Sequence, residues 1–239
     1  MGKPDIIYED NDIIVCYKPA GIATQTRRIG QQDMESFIRN YRAAKNEPPY
    51  VGIVHRLDQP VEGVMVFAKN QKAAASLSRQ IKEHTTEKYY RAASRGQGVS
   101  GTAVEEAWHT LTDYISFDKR TNTSKITSEK DRLAKKAVLQ YRVISVTPDR
   151  DSSQNECIRT EFDIKLLTGR HHQIRLQLAH IGYPLIGDTK YGKPASNNSG
   201  TGSKSGRTGG GVREQLALCS YKIVFDHPAT GERMTFELP

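Results

Sequence analysis

A chain of 239 residues is long enough to bury about 70% of its unfolded surface, so a packed core is expected. A content of 36% hydrophobic and 26% charged residues, with a mean hydropathy of −0.62, fits a globular protein with polar loops. No apolar run approaches the roughly 18 residues of a membrane span. The 35 Lys and Arg against 27 Asp and Glu leave a formal charge of +8, which favours a polyanionic partner without establishing one.

Three scattered cysteines, Cys16, Cys157 and Cys219, form no C-x-x-C pair and argue against a disulfide framework or a zinc ribbon. Neither a leader-like apolar segment nor an anchor motif precedes the first apolar run, so the cytoplasm is the expected location.

Ile6 to Tyr17 gives two short apolar runs around Asp10-Asn11-Asp12 and ends at Lys18-Pro19-Ala20-Gly21, which reads as strand, turn, strand. Met34, Phe37, Ile38 and Tyr41 share one face of a helix from about Asp33 to Lys45, which Pro48-Pro49 ends. Val64 to Ala68 reads as a buried strand. Asn70 can cap the helix after it, whose Ala73, Ala74, Leu77 and Ile81 form an inward stripe.

Further strands are expected at Lys88 to Ala93, Trp108 to Leu111, Ala137 to Val146, Ile158 to Leu167, Tyr221 to Phe225 and Met234 to Leu238. Thr121 to Lys136 reads as a polar surface loop, and the Gly/Ser-rich stretch 193–211 as a mobile insertion. Its basic residues Lys193, Lys204 and Arg207, with Arg213 just beyond, offer RNA contacts as the alternative to a solvated linker. Strands outnumber helices without βαβ alternation, which indicates an α+β class with a mixed sheet.

Three clusters join charged residues to turn formers at element edges: His55-Arg56-Leu57-Asp58, Lys88-Tyr89-Tyr90-Arg91-Ala92, and Thr168-Gly169-Arg170-His171-His172-Gln173-Ile174-Arg175. Taken alone, Asp58 reads as a turn residue at an Asp-x-Pro step, and His55 and Arg56 as surface residues. In the third cluster, Thr168-Gly169 can open a helix with Ile174, Leu178 and Ile181 inward, closed by Gly182 and Pro184. Arg175 then falls at the margin of the buried face, either exposed or directed into a cleft to hold a carboxylate ionised.

The histidines lack an H-E-x-x-H spacing, and adjacent His171 and His172 diverge on a helix, so no metal site is expected. A metal-dependent hydrolase built on them is therefore disfavoured. Without a Walker loop or G-x-G-x-x-G, nucleotide cofactors have no cradle, and His-Arg-Leu-Asp departs from the kinase H-R-D loop by one residue.

In this order the clusters resemble the RluA-type pseudouridine synthases. Tyr8 to Asp12 with Lys18 to Gly21 resembles that family's first motif, and Val54 to Asp58 with Gly63 and Ala68-Lys69 its catalytic motif. Lys88-x-Tyr90-x-Ala92 with Gly96 matches its tyrosine motif, and Thr168-Gly169-Arg170-x-His172-Gln173-Ile174-Arg175 its third. Gly182 to Asp188, Tyr191-Gly192 and His227-Pro228 continue the likeness along nearly the whole chain.

The resemblance implies one catalytic domain over 1–239, with a mixed, mostly antiparallel sheet, flanking helices and a central cleft. The implied reaction is cofactor-independent isomerisation of uridines in ribosomal or transfer RNA; a monomer is expected, though not by the resemblance. Asp58 would be the essential carboxylate, Arg175 its ion-pair partner and Tyr90 the ring that stacks on the base. Arg56 would enter the RNA where the uridine flips out, and Ile174 would pack near the base.

Val61-Glu62 stand where small hydroxylated residues are common in the family, and the insertion is longer than usual. The small N-terminal RNA-binding domain of many relatives is not expected here, so recognition would rely on the core and its insertions. A catalytically silent RNA-binding module, such as a ribosome-assembly factor, predicts the same charge and fold.

Overall fold

Nearly continuous burial along the central strands gives one sheet two packed faces. The computed structural model describes residues 4–26, 30–96, 103–104, 106–150, 155–192 and 214–239. The insertion expected at 193–211, with Lys193, Lys204, Arg207 and Arg213, lies outside the described residues.

The chain opens with the hairpin of β1 (Asp5–Glu9) and β2 (Ile13–Lys18), closed by Asp10, whose Oδ1 accepts the N–H of Asp12 and of Ile13 at 2.8 Å each. Helix α1 (Met34–Ala44) starts at a capping box: Asp33 accepts the Ser36 N–H, and Ser36 Oγ accepts the Asp33 N–H. The short β3 (Gly52–Ile53) leads through the Asp58 loop to β4 (Glu62–Ala68), and Asn70 caps α2 (Gln71–Lys82) as expected. The long strands β5 (Glu87–Gly96), β6 (His109–Asp118), β7 (Thr123–Thr127), β8 (Lys135–Arg150) and β9 (Glu156–Leu166) follow. Helix α3 (Gln173–His180), β10 (Leu218–Asp226) and β11 (Arg233–Glu237) complete the chain.

The strands lie in the order β1-β2-β4-β10-β5-β9-β8-β6-β7, with β3 on β4 and β11 on β10. Every pairing is antiparallel except β4 on β10, which makes the sheet mixed and mostly antiparallel, in an α+β class.

The parallel step needs Gly63. At φ +137° it lies against Ser220, and a Cβ there would sit 2.3 Å from the Ser220 carbonyl oxygen. Ile14, Cys16, Met65 and Phe67 face α1 and α3, whereas Val15, Val64 and Val66 face α2 through Ala73 and Leu77. No helix among the described residues is long and apolar enough to cross a membrane.

Two expectations need correction. The stretch 121–136 is not only loop: Thr123 to Thr127 pairs with Tyr114 to Asp118, and Ser124 is buried against the loop before α3. β-Branched Thr and Ile suit an edge strand, and the polar alternation conceals it because most of its side chains need no apolar neighbour.

Arg175 is likewise not marginal. All of Gln173 to Leu178 is buried, because α3 packs between the sheet and the β6–β7 hairpin. Its glutamines are satisfied internally: Gln177 Nε2 donates to Asp113 Oδ2 at 2.8 Å and Gln173 Nε2 to Gln177 Oε1 at 2.9 Å.

Candidate active site

The loop between β3 and β4 is clamped before it presents Asp58. Thr24 Oγ1 donates to the Leu57 carbonyl at 2.9 Å and accepts its N–H at 3.1 Å. The Val61 N–H closes a turn onto the Asp58 carbonyl, and Gly21 N–H binds the Gln59 carbonyl at 2.8 Å.

Beneath this turn the buried Lys18 ammonium donates to the carbonyls of Pro19, Ile22 and Gln59 at 3.1, 2.7 and 3.2 Å. Burial lowers its pKa to about 8, opposed by the charges of Asp58 and Glu62. Lys18-Pro19-Ala20-Gly21 is therefore a foundation for the Asp58 turn.

Asp58 is 30% exposed at a cleft of about 600 Å³ lined by Arg56, Lys88, Tyr90, His172, Ile174 and Arg175, among others. That size suits a small ligand or one nucleoside. All five residues expected from the sequence, Asp58, Arg56, Tyr90, Ile174 and Arg175, line it together. Tyr90 and Ile174 are buried and supply apolar wall. Arg56 lies at the exposed rim, its Nη2 3.4 Å from Gln25 Oε1. Burial raises the Tyr90 phenol pKa, so its ring is neutral.

Arg175 Nη1 stands 3.4 Å from Asp58 Oδ2, but its tight partner is Asp188. Nε and Nη2 each donate to an Asp188 oxygen at 2.8 Å, a bidentate fork between a 4% and a 0% exposed side chain. Although desolvation opposes it, that fork and the N–H groups of Lys190 and Tyr191 hold the Asp188 pKa below the usual carboxylate range. Arg175 is thus fixed by Asp188 and leans on Asp58 with one remaining N–H.

His172 occupies a left-handed conformation, φ 54°, at the start of α3 and brings Nε2 to 3.6 Å from Asp58. Burial, with the charge of Arg175, lowers its pKa to about 3, so the ring is neutral. The Tyr191 hydroxyl accepts the Ser124 N–H at 2.9 Å and lies 2.9 Å from His172 Nδ1, which fixes the ring.

His55 also lines the cleft but is tied to the sheet, its Nε2 accepting the Val66 N–H at 3.1 Å, and burial with the charge of Lys88 lowers its pKa to about 3. The Lys88 ammonium lies in the cleft near Gly169, where burial lowers its pKa.

Sequence reasoning missed Lys18, Lys88, His172, Asp188 and Tyr191 as site residues. Their signal was present in the matched motifs, but no local spacing reveals a pair 13 residues apart such as Arg175 and Asp188. Among the described residues one group has metal-ligand proximity, Asp10, Asp12 and His227. Its atoms already hold the β1–β2 turn and its neighbours: His227 Nε2 lies 2.9 Å from Asp10 Oδ2, and Asn70 Nδ2 donates to Asp12 Oδ1 at 2.7 Å.

A family model described as RNA pseudouridylate synthase matches residues 12–180. An entire-chain match at 31% identity covers 69% of "Uncharacterized RNA pseudouridine synthase YhcT" of Bacillus subtilis. "Ribosomal large subunit pseudouridine synthase D" of Vibrio parahaemolyticus is 32% identical over 98% of the chain and 66% of its own length. "tRNA pseudouridine synthase C" of Haemophilus ducreyi is 29% identical over 97% of the chain and 88% of its own length.

In structure, human RNA Pseudouridylate Synthase Domain Containing 1 superposes with a TM-score of 0.69 at 23% identity, covering 99% of this chain and 83% of that one. The corresponding Domain Containing 4 protein gives 0.67 at 20%, over 98% and 87%. With the family model spanning most of the chain and relatives above 30% identity along nearly all of it, the chain belongs to the RNA pseudouridylate synthase family.

Proposed function

We propose that this protein isomerises particular uridines in ribosomal or transfer RNA to pseudouridine, with Asp58 as the catalytic carboxylate. The observation that carries the reading is the placement of Asp58: a partly exposed carboxylate at a nucleoside-sized cleft, beside a guanidinium that a second, buried carboxylate holds still. The relatives' names, one for the large ribosomal subunit and one for transfer RNA, support both substrate classes.

The reaction breaks the C1′–N1 bond of uridine, turns the base and joins C1′ to C5. The C5 proton leaves and N1 gains one, so the product is an isomer without net oxidation. The reacting atoms are inaccessible in a stacked helix, and extruding the nucleotide costs a few kcal/mol. Stacking on Tyr90 offsets about 1 to 3 kcal/mol of this, Ile174 packs beside the base, and Arg56 at the rim fills the vacated place.

Asp58 acts on the extruded nucleotide as nucleophile or proton acceptor, and Arg175, with the His172 ring beside it, keeps its carboxylate aimed. We extend the proposal to a single catalytic unit over 1–239 that works as a cytoplasmic monomer. A silent RNA-binding module is the weaker reading, since a carboxylate facing the RNA backbone weakens a pure binder.

The test is pseudouridine mapping by carbodiimide stops on total RNA from cells carrying the wild type, Asp58→Asn, or neither. Sites present only with the wild type are expected. Sites retained by Asp58→Asn would remove Asp58 from its role, and three identical maps would refute the activity.

A further inference from the structure

At Gly169, Arg170 and His171 the catalytic cleft continues into a second groove of about 950 Å³, walled by the β6–β7 hairpin and the segment before β8. Its lining carries Lys119, Lys125, Lys135 and Arg170 against Asp118 and Asp131. Both acids serve local turns: Asp118 accepts the Arg120 N–H at 2.8 Å, and Asp131 the Leu133 N–H at 2.9 Å. The lining is therefore net positive. Two apolar side chains are nevertheless left open to solvent there, Phe117 at 39% and Leu133 at 72% exposure.

The Phe117 ring ends a row that starts at the catalytic carboxylate. His172 stands 3.6 Å from Asp58, the His171 ring centroid lies 3.7 Å from that of His172, and Phe117 lies 4.2 Å beyond His171. The row is held from behind. Ser124 Oγ donates to the His171 carbonyl at 2.9 Å and lies 3.0 Å from His171 Nδ1. The Ser124 N–H reaches Tyr191, whose hydroxyl binds His172. The hairpin, the two histidines and Tyr191 thus form one hydrogen-bonded unit, against which Phe117 packs.

We propose that this groove is a second base-binding subsite for the RNA. An unpaired base neighbouring the target uridine stacks on the open face of Phe117, with Leu133 beside it. Lys119, Lys125, Lys135 and Arg170 take the flanking phosphates. The inference rests on the reading of the cleft as the uridine site and adds to it a requirement: the target must lie in RNA whose adjacent base is free to leave its stack. An exposed aromatic ring among cations is the arrangement that binds single-stranded nucleic acid, because every base offers a π-face and every linkage a negative charge.

The test measures binding by Asp58→Asn protein, so that turnover does not enter. The probe is a nine-uridine oligoribonucleotide with one 2-aminopurine moved through its positions, at low salt. Fluorescence quenching confined to particular positions is expected. Phe117→Ala should abolish it and weaken binding about tenfold, while Phe117→Trp restores both. Lys119→Gln and Lys135→Gln should each lower the salt slope by about one without moving the quenched position.

Circular dichroism of each variant verifies that the fold persists. Equal affinity and an unchanged quenching pattern in Phe117→Ala overturn the proposal, as does failure of the oligonucleotide to bind at all. Turnover retained by Asp58→Asn would refute the catalytic reading instead, and a Phe117-dependent quench would still stand.

Discussion

Replacing Asp188 by Asn tests whether Arg175 is held by Asp188 or by Asp58. The Asp188 carboxylate accepts four hydrogen bonds: Arg175 Nε and Nη2 at 2.8 Å each, the Lys190 N–H at 2.8 Å and the Tyr191 N–H at 3.0 Å. In Asp188→Asn one oxygen still serves the backbone N–H groups, but an amide nitrogen meets an Arg175 donor and the guanidinium loses its buried counter-charge.

Breaking a buried ion pair from one side costs about 3 to 5 kcal/mol. For a chain of this length each kcal/mol shifts Tm by about 2 to 4 °C, so a loss on the order of 10 °C is expected in thermal unfolding. Because Asp58 is then the nearest anion, at 3.4 Å, Arg175 should close on it and tie up the catalytic carboxylate. Turnover should fall further than the folded fraction does.

The double variant Arg175→Met with Asp188→Asn removes both charges together while an amide oxygen still accepts the Lys190 and Tyr191 N–H groups, and should be more stable than Asp188→Asn alone yet inactive. A single variant within about 0.5 kcal/mol of the wild type, or one with full turnover, would refute the argument.

Gly63→Ala should cost about 3 kcal/mol or more, read as a lowered urea midpoint or loss of soluble protein, because its Cβ meets the Ser220 backbone at 2.3 Å; wild-type stability would contradict the parallel β4–β10 junction. Tyr90→Phe keeps the ring and should cost about 1 kcal/mol through the lost Ser220 hydrogen bond, whereas Tyr90→Ala should lower kcat/KM by roughly 5- to 150-fold beyond any unfolding; equal effects would argue against stacking.

His55 and His172, both held to about 3, stay neutral in the folded protein, while the unfolded chain protonates each near 6.5. The unfolded state therefore gains protons first on acidification. The stability these two histidines contribute should fall as pH drops through that window and be fully present above about pH 7.5. His172→Asn, which tolerates the left-handed backbone, should flatten the pH profile of the urea midpoint; an unchanged profile would show that the histidine titrates freely.

Much of this protein was legible in one dimension. The short apolar runs in Ile13 to Tyr17 and Val64 to Ala68, the Asn70 cap and the α1 stripe at a period of 3.6 are local properties of the sequence. The family likeness brought Arg56, Asp58, Tyr90, Ile174 and Arg175 forward, and the fold gathers all five around one cleft.

What the tertiary structure decided is how those groups are held. Lys18 lies beneath the Asp58 turn because β2 ends beside the β3–β4 loop. Asp188 takes Arg175 because the chain returns over a helix that is buried on all sides, and β7 forms because Ser124 finds partners in the loop before α3. Each of these contacts joins segments far apart in sequence, and such pairings depend on loop closure and packing that no local residue pattern encodes.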